Sequence, residues 1–122
     1  MKLAHVSIQT GKIDQEISFF EKYTGLEIME EFKGPSGRII FMGNEDSSTG
    51  LEIMENEKFD KITAKGLTLG FTCDSLEELR DNLVEAGFMP ADIRTPNERV
   101  SFFFVKSPTG VNVQFVKQTR SK

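Results

Sequence analysis

Four polar residues, His5, Glu52, Thr68 and Gln114, stand at matching places in two similar halves of the chain. The halves repeat at an interval of about 62 residues: Gly25-Leu26 recurs as Gly87-Phe88, Ile40-Phe41-Met42 as Phe102-Phe103-Phe104, and Leu51-Glu52-Ile53 as Val113-Gln114-Phe115. His5 matches Leu67 or, with a shift of one residue, Thr68, and the shift is favoured because it keeps side-chain alternation in step. A doubled unit brings four such positions toward one cavity, where an imidazole and a carboxylate can bind a ligand or transfer a proton.

Glu52 and His5 each have a functional and a structural interpretation. Leu51 and Ile53 should turn to one face of their strand, so the Glu52 carboxylate points inward from the other. A buried carboxylate requires a metal ion, a cation or hydrogen-bond donors. His5 is the only histidine, and it is either a ligand or a hydrogen-bonded strand residue.

The matching residues of the second half are neutral. Gln114 shares a strand face with Asn112, so both side chains could bind ordered water or Glu52 as readily as a metal ion. Thr68 is a residue type common in strands, and the structural interpretation is favoured for it.

Hydrophobic periodicity predicts a strand, a helix and three strands in each half. The predicted strands of the first half span about residues 2–9, 26–33, 37–44 and 49–56, and the helix ends near Thr24. In the second half they span about 67–73, 88–94, 100–106 and 111–117, and the helix begins near Asp74, with Ser75 as its cap, and ends at Gly87. Phe20 and Leu79 should be buried at matching places on the helices, and Cys73 should also be buried.

The predicted fold is therefore α+β, with two βαβββ modules that form paired curved mixed sheets around a cavity and carry their helices on the outer faces. The chain reads as a single domain, 1–122, in which halves 1–56 and 66–117 are joined by a charged linker at about 57–65. Halves of this size would be marginal alone, so they should share a buried surface.

Composition excludes several partners. The net charge is −4 and the isoelectric point is near 5.1, with no basic stripe, so nucleic acid is not an expected partner. No apolar run approaches the roughly 18 residues of a membrane span, and the first strand is too polar for a signal sequence, which predicts a cytoplasmic protein. One cysteine excludes an intrachain disulfide.

Several segments, in this order and spacing, resemble the vicinal oxygen chelate superfamily of glyoxalase I, extradiol dioxygenases and bleomycin-resistance proteins. They are Leu3-Ala4-His5-Val6, Ser18-Phe19-Phe20-Glu21-Lys22-Tyr23-Thr24-Gly25, Gly50-Leu51-Glu52-Ile53 and Ser107-Pro108-Thr109-Gly110-Val111-Asn112-Val113-Gln114-Phe115. The resemblance implies a divalent metal ion, such as nickel, zinc or cobalt, held at the positions of His5, Glu52, Thr68 and Gln114. Family members of the glyoxalase I type have His, Glu, His and Glu there, so Thr68 and Gln114 both depart from the pattern.

Two functions follow from the resemblance. One is a glyoxalase-like (lactoylglutathione lyase-like) enzyme in which His5, Glu52 and Gln114 hold a metal that polarises a small-molecule substrate, and Glu52 accepts the proton. The other is a metal-free protein that sequesters a small ligand, as the bleomycin-resistance branch does. The enzyme is the first expectation because His5 and Glu52 are retained together; Gln114 cannot accept a proton.

Metal titration should separate the two functions. We expect weak binding of nickel, cobalt or zinc to the parent and none to Glu52→Ala, which removes the only anionic ligand. Thr68→His combined with Gln114→Glu should tighten binding, because it restores an imidazole and a carboxylate. Calorimetry on the three proteins is the measurement. A double replacement that binds no better than Glu52→Ala would mean that the four positions do not converge.

We also expect a homodimer, because two half-units with one-sided apolar strands and three consecutive phenylalanines expose more apolar surface than a small domain can cover. Light scattering at micromolar concentration measures the mass. A monomeric mass that does not change on dilution would refute this expectation.

Overall fold

The computed structural model describes residues 1–118. The chain forms two compact units, and the boundary in the sequence lies between Ile62 and Thr63. The first unit contains β1 (His5–Thr10), α1 (Ile13–Thr24), β2 (Glu27–Gly34), β3 (Gly37–Gly43) and β4 (Gly50–Glu55). Its sheet has the strand order β1-β4-β3-β2. β1 and β4 run parallel, and the other pairs run antiparallel.

The second unit repeats this arrangement. It contains β5 (Leu69–Thr72), α2 (Leu76–Glu85), β6 (Arg94–Asn97), β7 (Val100–Lys106) and β8 (Asn112–Gln118). The strand order is β5-β8-β7-β6, with β5 parallel to β8. The prediction of an α+β fold built from two βαβββ modules with mixed sheets is confirmed. None of the helices within residues 1–118 is long and apolar enough to cross a membrane.

The core of the first unit lies between one face of its sheet and α1. Along β4, Leu51 and Ile53 are buried, whereas Glu52 between them is partly exposed, as alternation along a strand requires. On α1, buried side chains recur at helical spacing, and Phe20 is fully buried. The apolar face of β4 therefore fixes which side chains remain available on the other face.

In the second unit, the buried helix residues are Leu76 and Leu83. Leu79 is only half-buried, so the prediction that it matches Phe20 is wrong and Leu83 takes that place. On the sheet, Phe103 is fully buried and packs against Phe115 at a ring-centroid distance of 5.5 Å. The neighbours of Phe103 along β7 point to the opposite face.

Both helices end at a glycine with positive φ, as predicted: Gly25 has φ 72° and Gly87 has φ 95°. At the start of α2, Ser75 is the N-cap residue, as predicted, but its side chain does not make the expected capping hydrogen bond. Cys73 is half-exposed rather than buried, because it lies just beyond the end of β5.

The strand predicted at about 88–94 begins only at Arg94. The segment before it is held by α2 and by one backbone contact with β7. Arg80 donates from Nε to the carbonyl oxygen of Ala91 at 2.8 Å and from Nη2 to that of Pro90 at 3.2 Å, and the Ala91 N–H donates to the carbonyl oxygen of Phe104 at 2.8 Å. Proline also lacks the N–H group that a sheet interior requires. Pro90 is buried in this segment, whereas Met89 is exposed, and the single backbone bond to β7 does not extend into a ladder.

Truncation of the fully buried helix residues tests these assignments. Phe20→Ala and Leu83→Ala should each lower the free energy of unfolding by about 2–5 kcal/mol, because each leaves a cavity in its core. Leu79→Ala should cost less than Leu83→Ala, and Val84→Ala, at an exposed position, should change stability by no more than about 0.5 kcal/mol. Urea denaturation measures all four. Equal losses for Leu79→Ala and Leu83→Ala would contradict the helix face described here.

Candidate functional site

Glu52 occupies the middle of the first sheet and has a strand neighbour on each side. In the parallel pair it lies opposite Ser7 of β1, and in the antiparallel pair it lies opposite Phe41 of β3. Because these residues are in register, their side chains share the face that points away from the buried Leu51 and Ile53. We call this face of the first sheet the Glu52 face.

The Glu52 carboxylate is contacted on one oxygen by β1. Ser7 Oγ donates a hydrogen bond to Glu52 Oε1 at 2.5 Å, and His5 Nε2 lies 3.9 Å from the same oxygen. The second distance is too long for a hydrogen bond. The side chain of Glu52 is 15% exposed and that of His5 is 41% exposed. A largely buried carboxylate is therefore held mainly by a neutral hydroxyl.

Aromatic rings lie beside the carboxylate. His5 and Phe41 make an edge-to-face contact with ring centroids 5.3 Å apart. Phe41 in turn stacks on Phe32 of β2 at 6.1 Å with an interplanar angle of 26°, and Phe32 is 44% exposed. Phe32 and Phe41 form an aromatic shelf that extends from Glu52 toward the edge of the sheet.

The second unit has a different pair at the corresponding places. Gln114 lies opposite Gly70 of β5 and Phe104 of β7. Its Oε1 atom lies 3.6 Å from where a Cβ atom on Gly70 would be, so the amide extends over the glycine. Thr68 is exposed and precedes β5. The structure thus places Thr68 and Gln114 on the second unit, with neutral side chains at both positions.

The strand registers also decide how the two halves align. Glu52 is paired with Ser7, which follows His5 by two residues, and Gln114 is paired with Gly70, which follows Thr68 by two. The shifted match of His5 with Thr68 is therefore correct. Phe41 pairs with Glu52 as Phe104 pairs with Gln114. The match of Ile40-Phe41-Met42 is therefore Phe103-Phe104-Val105, and the expected match with Phe102-Phe103-Phe104 is wrong by one residue.

Sequence reasoning missed Ser7 as a partner of the carboxylate. Ser7 follows His5 on the same strand face, so alternation could have placed the two together. What the sequence lacks is the register between β1 and β4, which are separated by 45 residues at this contact. A short polar residue two positions after a candidate ligand is the signal that was available.

A second polar cluster lies on the first unit. Arg38 Nη1 donates to Asp14 Oδ1 at 2.7 Å, and Arg38 Nε lies 3.4 Å from Glu31 Oε2. These hydrogen bonds, that to Asp14 first, raise the pKa of Arg38 above its ordinary value. The backbone N–H of Arg38 also donates to Glu55. Arg38 therefore links β3, β2 and the first turn of α1.

The residues on the Glu52 face are a poor donor set for a resident metal ion. His5 and Glu52 are its two conventional ligands, and within residues 1–118 no group of three or more His, Cys, Asp and Glu side chains is placed to hold a metal. Zinc sites in proteins use three or four ligands, and neutral hydroxyl and amide groups such as those of Thr68 and Gln114 bind such ions weakly. The side chains present do not fit a metal centre of the glyoxalase type.

A family model matches nearly the whole described chain. The model is that of the Glyoxalase/Bleomycin resistance protein/Dioxygenase superfamily, and it matches residues 2–115. No curated protein sequence matches the chain at a significant level.

Solved structures with the same fold belong to proteins of different uses. A glyoxalase family protein from Bacillus cereus is 17% identical, with a TM-score of 0.81 over 98% of this chain and 95% of that one. The trypanothione-dependent glyoxalase I of Leishmania major is 20% identical, with a TM-score of 0.73 over 96% and 86%. An antibiotic-binding protein from Streptomyces is 14% identical, with a TM-score of 0.75 over 98% and 97%. At these identities the similarity establishes the fold.

Proposed function

We propose that the chain, which belongs to the Glyoxalase/Bleomycin resistance protein/Dioxygenase superfamily, binds a small organic cation on the Glu52 face without a resident metal ion. The observation that carries the proposal is the burial and pairing of the Glu52 side chain. It is 15% exposed, and among the ion pairs of residues 1–118 none joins Glu52 to a lysine or an arginine. A largely buried carboxylate is costly unless a cation or several hydrogen bonds stabilise it. A cationic ligand would supply the missing charge.

The aromatic shelf supports the same class of ligand. The faces of Phe32 and Phe41 carry partial negative charge, so a cation near them gains a favourable electrostatic interaction in addition to apolar contact. An aromatic or alkyl body of the ligand would cover Phe32, which is 44% exposed. The net charge of −4 on the chain also attracts cations.

The structural comparisons are compatible with a binding protein as well as with an enzyme. The Streptomyces protein of this fold binds an antibiotic and the Leishmania protein is a glyoxalase I, so the fold serves both uses. The decision rests on the residues of this chain, and the donor set around Glu52 favours binding.

A metal-dependent lyase is the second candidate, and one observation favours it. His5 Nε2 and Glu52 Oε1 are 3.9 Å apart, a separation that two ligands of one divalent ion can have. Glu52 would then be the proton acceptor. The binding function is preferred because it requires no further donor than those present on the Glu52 face.

A congeneric set of probes tests the proposed function. We expect 1-naphthylmethylammonium to bind, and the neutral 1-naphthalenemethanol and the anionic 1-naphthaleneacetate to bind more weakly, because only the cation neutralises Glu52. Glu52→Gln keeps the shape of the side chain and removes its charge, so it should weaken cation binding by about tenfold, or 1.4 kcal/mol. Isothermal titration calorimetry, with chelator present to remove metal ions, is the measurement.

Glu45→Gln is the matched control. Glu45 is exposed in the loop between β3 and β4, so this variant makes the same change in net charge away from the Glu52 face. It should bind the cation as the parent does. If all three probes bind equally well, or if the two variants lose affinity equally, the carboxylate is not the counter-ion and the proposal fails.

A further inference from the structure

The direction of the hydrogen bond between Ser7 and Glu52 determines what the site offers to a ligand. An ionised carboxylate only accepts hydrogen bonds, so Ser7 is the donor, and its proton points to Oε1 at an Oγ–Oε1 distance of 2.5 Å. The lone pairs of Ser7 Oγ are then directed away from Oε1. Among the hydrogen bonds of residues 1–118, none goes to Oε2, the second oxygen of the same carboxylate.

From this geometry we infer that Ser7 determines specificity at the proposed site, by making it select a cation that carries N–H groups over a quaternary ammonium. The inference rests on the proposed function. Ser7 and Glu52 lie opposite each other on one face and are joined by a hydrogen bond. Ser7 Oγ and Glu52 Oε2 are therefore available as a pair of acceptors, to which a primary or secondary ammonium or a guanidinium can donate. A quaternary ammonium has the same charge but no hydrogen to donate.

Ser7 is also the residue that orients the carboxylate. Among the hydrogen bonds of residues 1–118, the one from Ser7 is the only side-chain bond to Glu52, since His5 at 3.9 Å is too distant to donate. The register places Ser7 directly opposite Glu52 in the parallel pair. Without the hydroxyl, the carboxylate loses this hydrogen bond and the acceptor pair loses its Ser7 member.

The second unit lacks both members of the pair. Gly70 stands at the place of Ser7 and Gln114 at the place of Glu52. A carboxamide presents donors as well as an acceptor, and Gly70 has no hydroxyl to orient it. The hydroxyl and the carboxylate therefore occur together in one half and are both absent from the other, which is the distribution expected if they act as one acceptor pair.

Ser7 is accessible and replaceable. It is exposed on β1, so its replacement removes no core contact, and threonine keeps the hydroxyl while fitting a strand well. Because a quaternary ammonium still attracts the carboxylate and the aromatic shelf, a comparison of two cations separates the hydrogen bonds from the other contributions.

The experiment compares 1-naphthylmethylammonium with its N,N,N-trimethyl analogue by calorimetry on the parent, Ser7→Ala and Ser7→Thr. The parent should bind the primary ammonium more tightly. Ser7→Ala should weaken binding of the primary ammonium by about tenfold, or about 1.4 kcal/mol. It should weaken binding of the quaternary ion by less than about twofold, or about 0.4 kcal/mol. Ser7→Thr should restore the preference. Urea denaturation verifies that each variant is folded.

The outcomes distinguish this inference from the proposed function. If the parent binds both cations equally, if Ser7→Ala weakens both to the same extent, or if Ser7→Thr fails to restore the preference, Ser7 is not a specificity residue, although the Glu52 site still stands. If neither cation binds the parent, or if Glu52→Gln changes nothing, the proposed function is wrong and the inference falls with it.

Discussion

The register of the parallel pair β1 and β4 is the constraint on which the site depends. It places Ser7 opposite Glu52 and Ile8 opposite Ile53. Since side chains alternate along both strands, one face receives the apolar residues that pack under α1 and the other receives the polar ones. A slip of one residue in β4 would turn the Glu52 carboxylate into the core. The register that buries Ile53 therefore also places Glu52 on the opposite face of the sheet.

This coupling explains how much of the site could be predicted from the sequence. Alternation within a strand is a local property, and it places Glu52 opposite in direction to Leu51 without any knowledge of neighbouring strands. The contact with Ser7 depends on pairing between segments 45 residues apart, for which the sequence holds no local signal. The family resemblance implied a site at His5 and Glu52, which the structure places 3.9 Å apart, and the structure adds the Ser7 hydroxyl that donates to Glu52.

The fold was predictable because the periodicity of apolar residues along a strand or helix is also a local property. The errors in the predicted elements lie where tertiary contacts override local preference. The strand expected before Arg94 is replaced by a loop that Arg80 holds through backbone carbonyls. Leu79 has the spacing of a core residue, but α2 is turned so that Leu76 and Leu83 are buried. Neither the hydrogen bonds of a side chain nor the rotation of a short helix about its axis is determined by periodicity.

The two halves share a framework and differ in charge at equivalent places. In the first unit, Arg38 joins β3 to Asp14 on the helix; by the strand registers, the matching residue of the second unit is Ser101, whose hydroxyl pairs with Thr95 instead. On the opposite face of the sheets, Glu52 is similarly matched by a neutral glutamine.

Such differences have little effect on the stability of either sheet, because the buried positions that specify it, such as Ile53 and Phe115, are apolar in both units. The exposed face of a strand can then change its chemistry while its register is kept. The Glu52 carboxylate, whose side-chain hydrogen bond within residues 1–118 comes from Ser7, is stabilised further by a positive partner. In the proposed function, a ligand with its own positive charge and hydrogen-bond donors is that partner, and the residues of the Glu52 face bind it without a further donor.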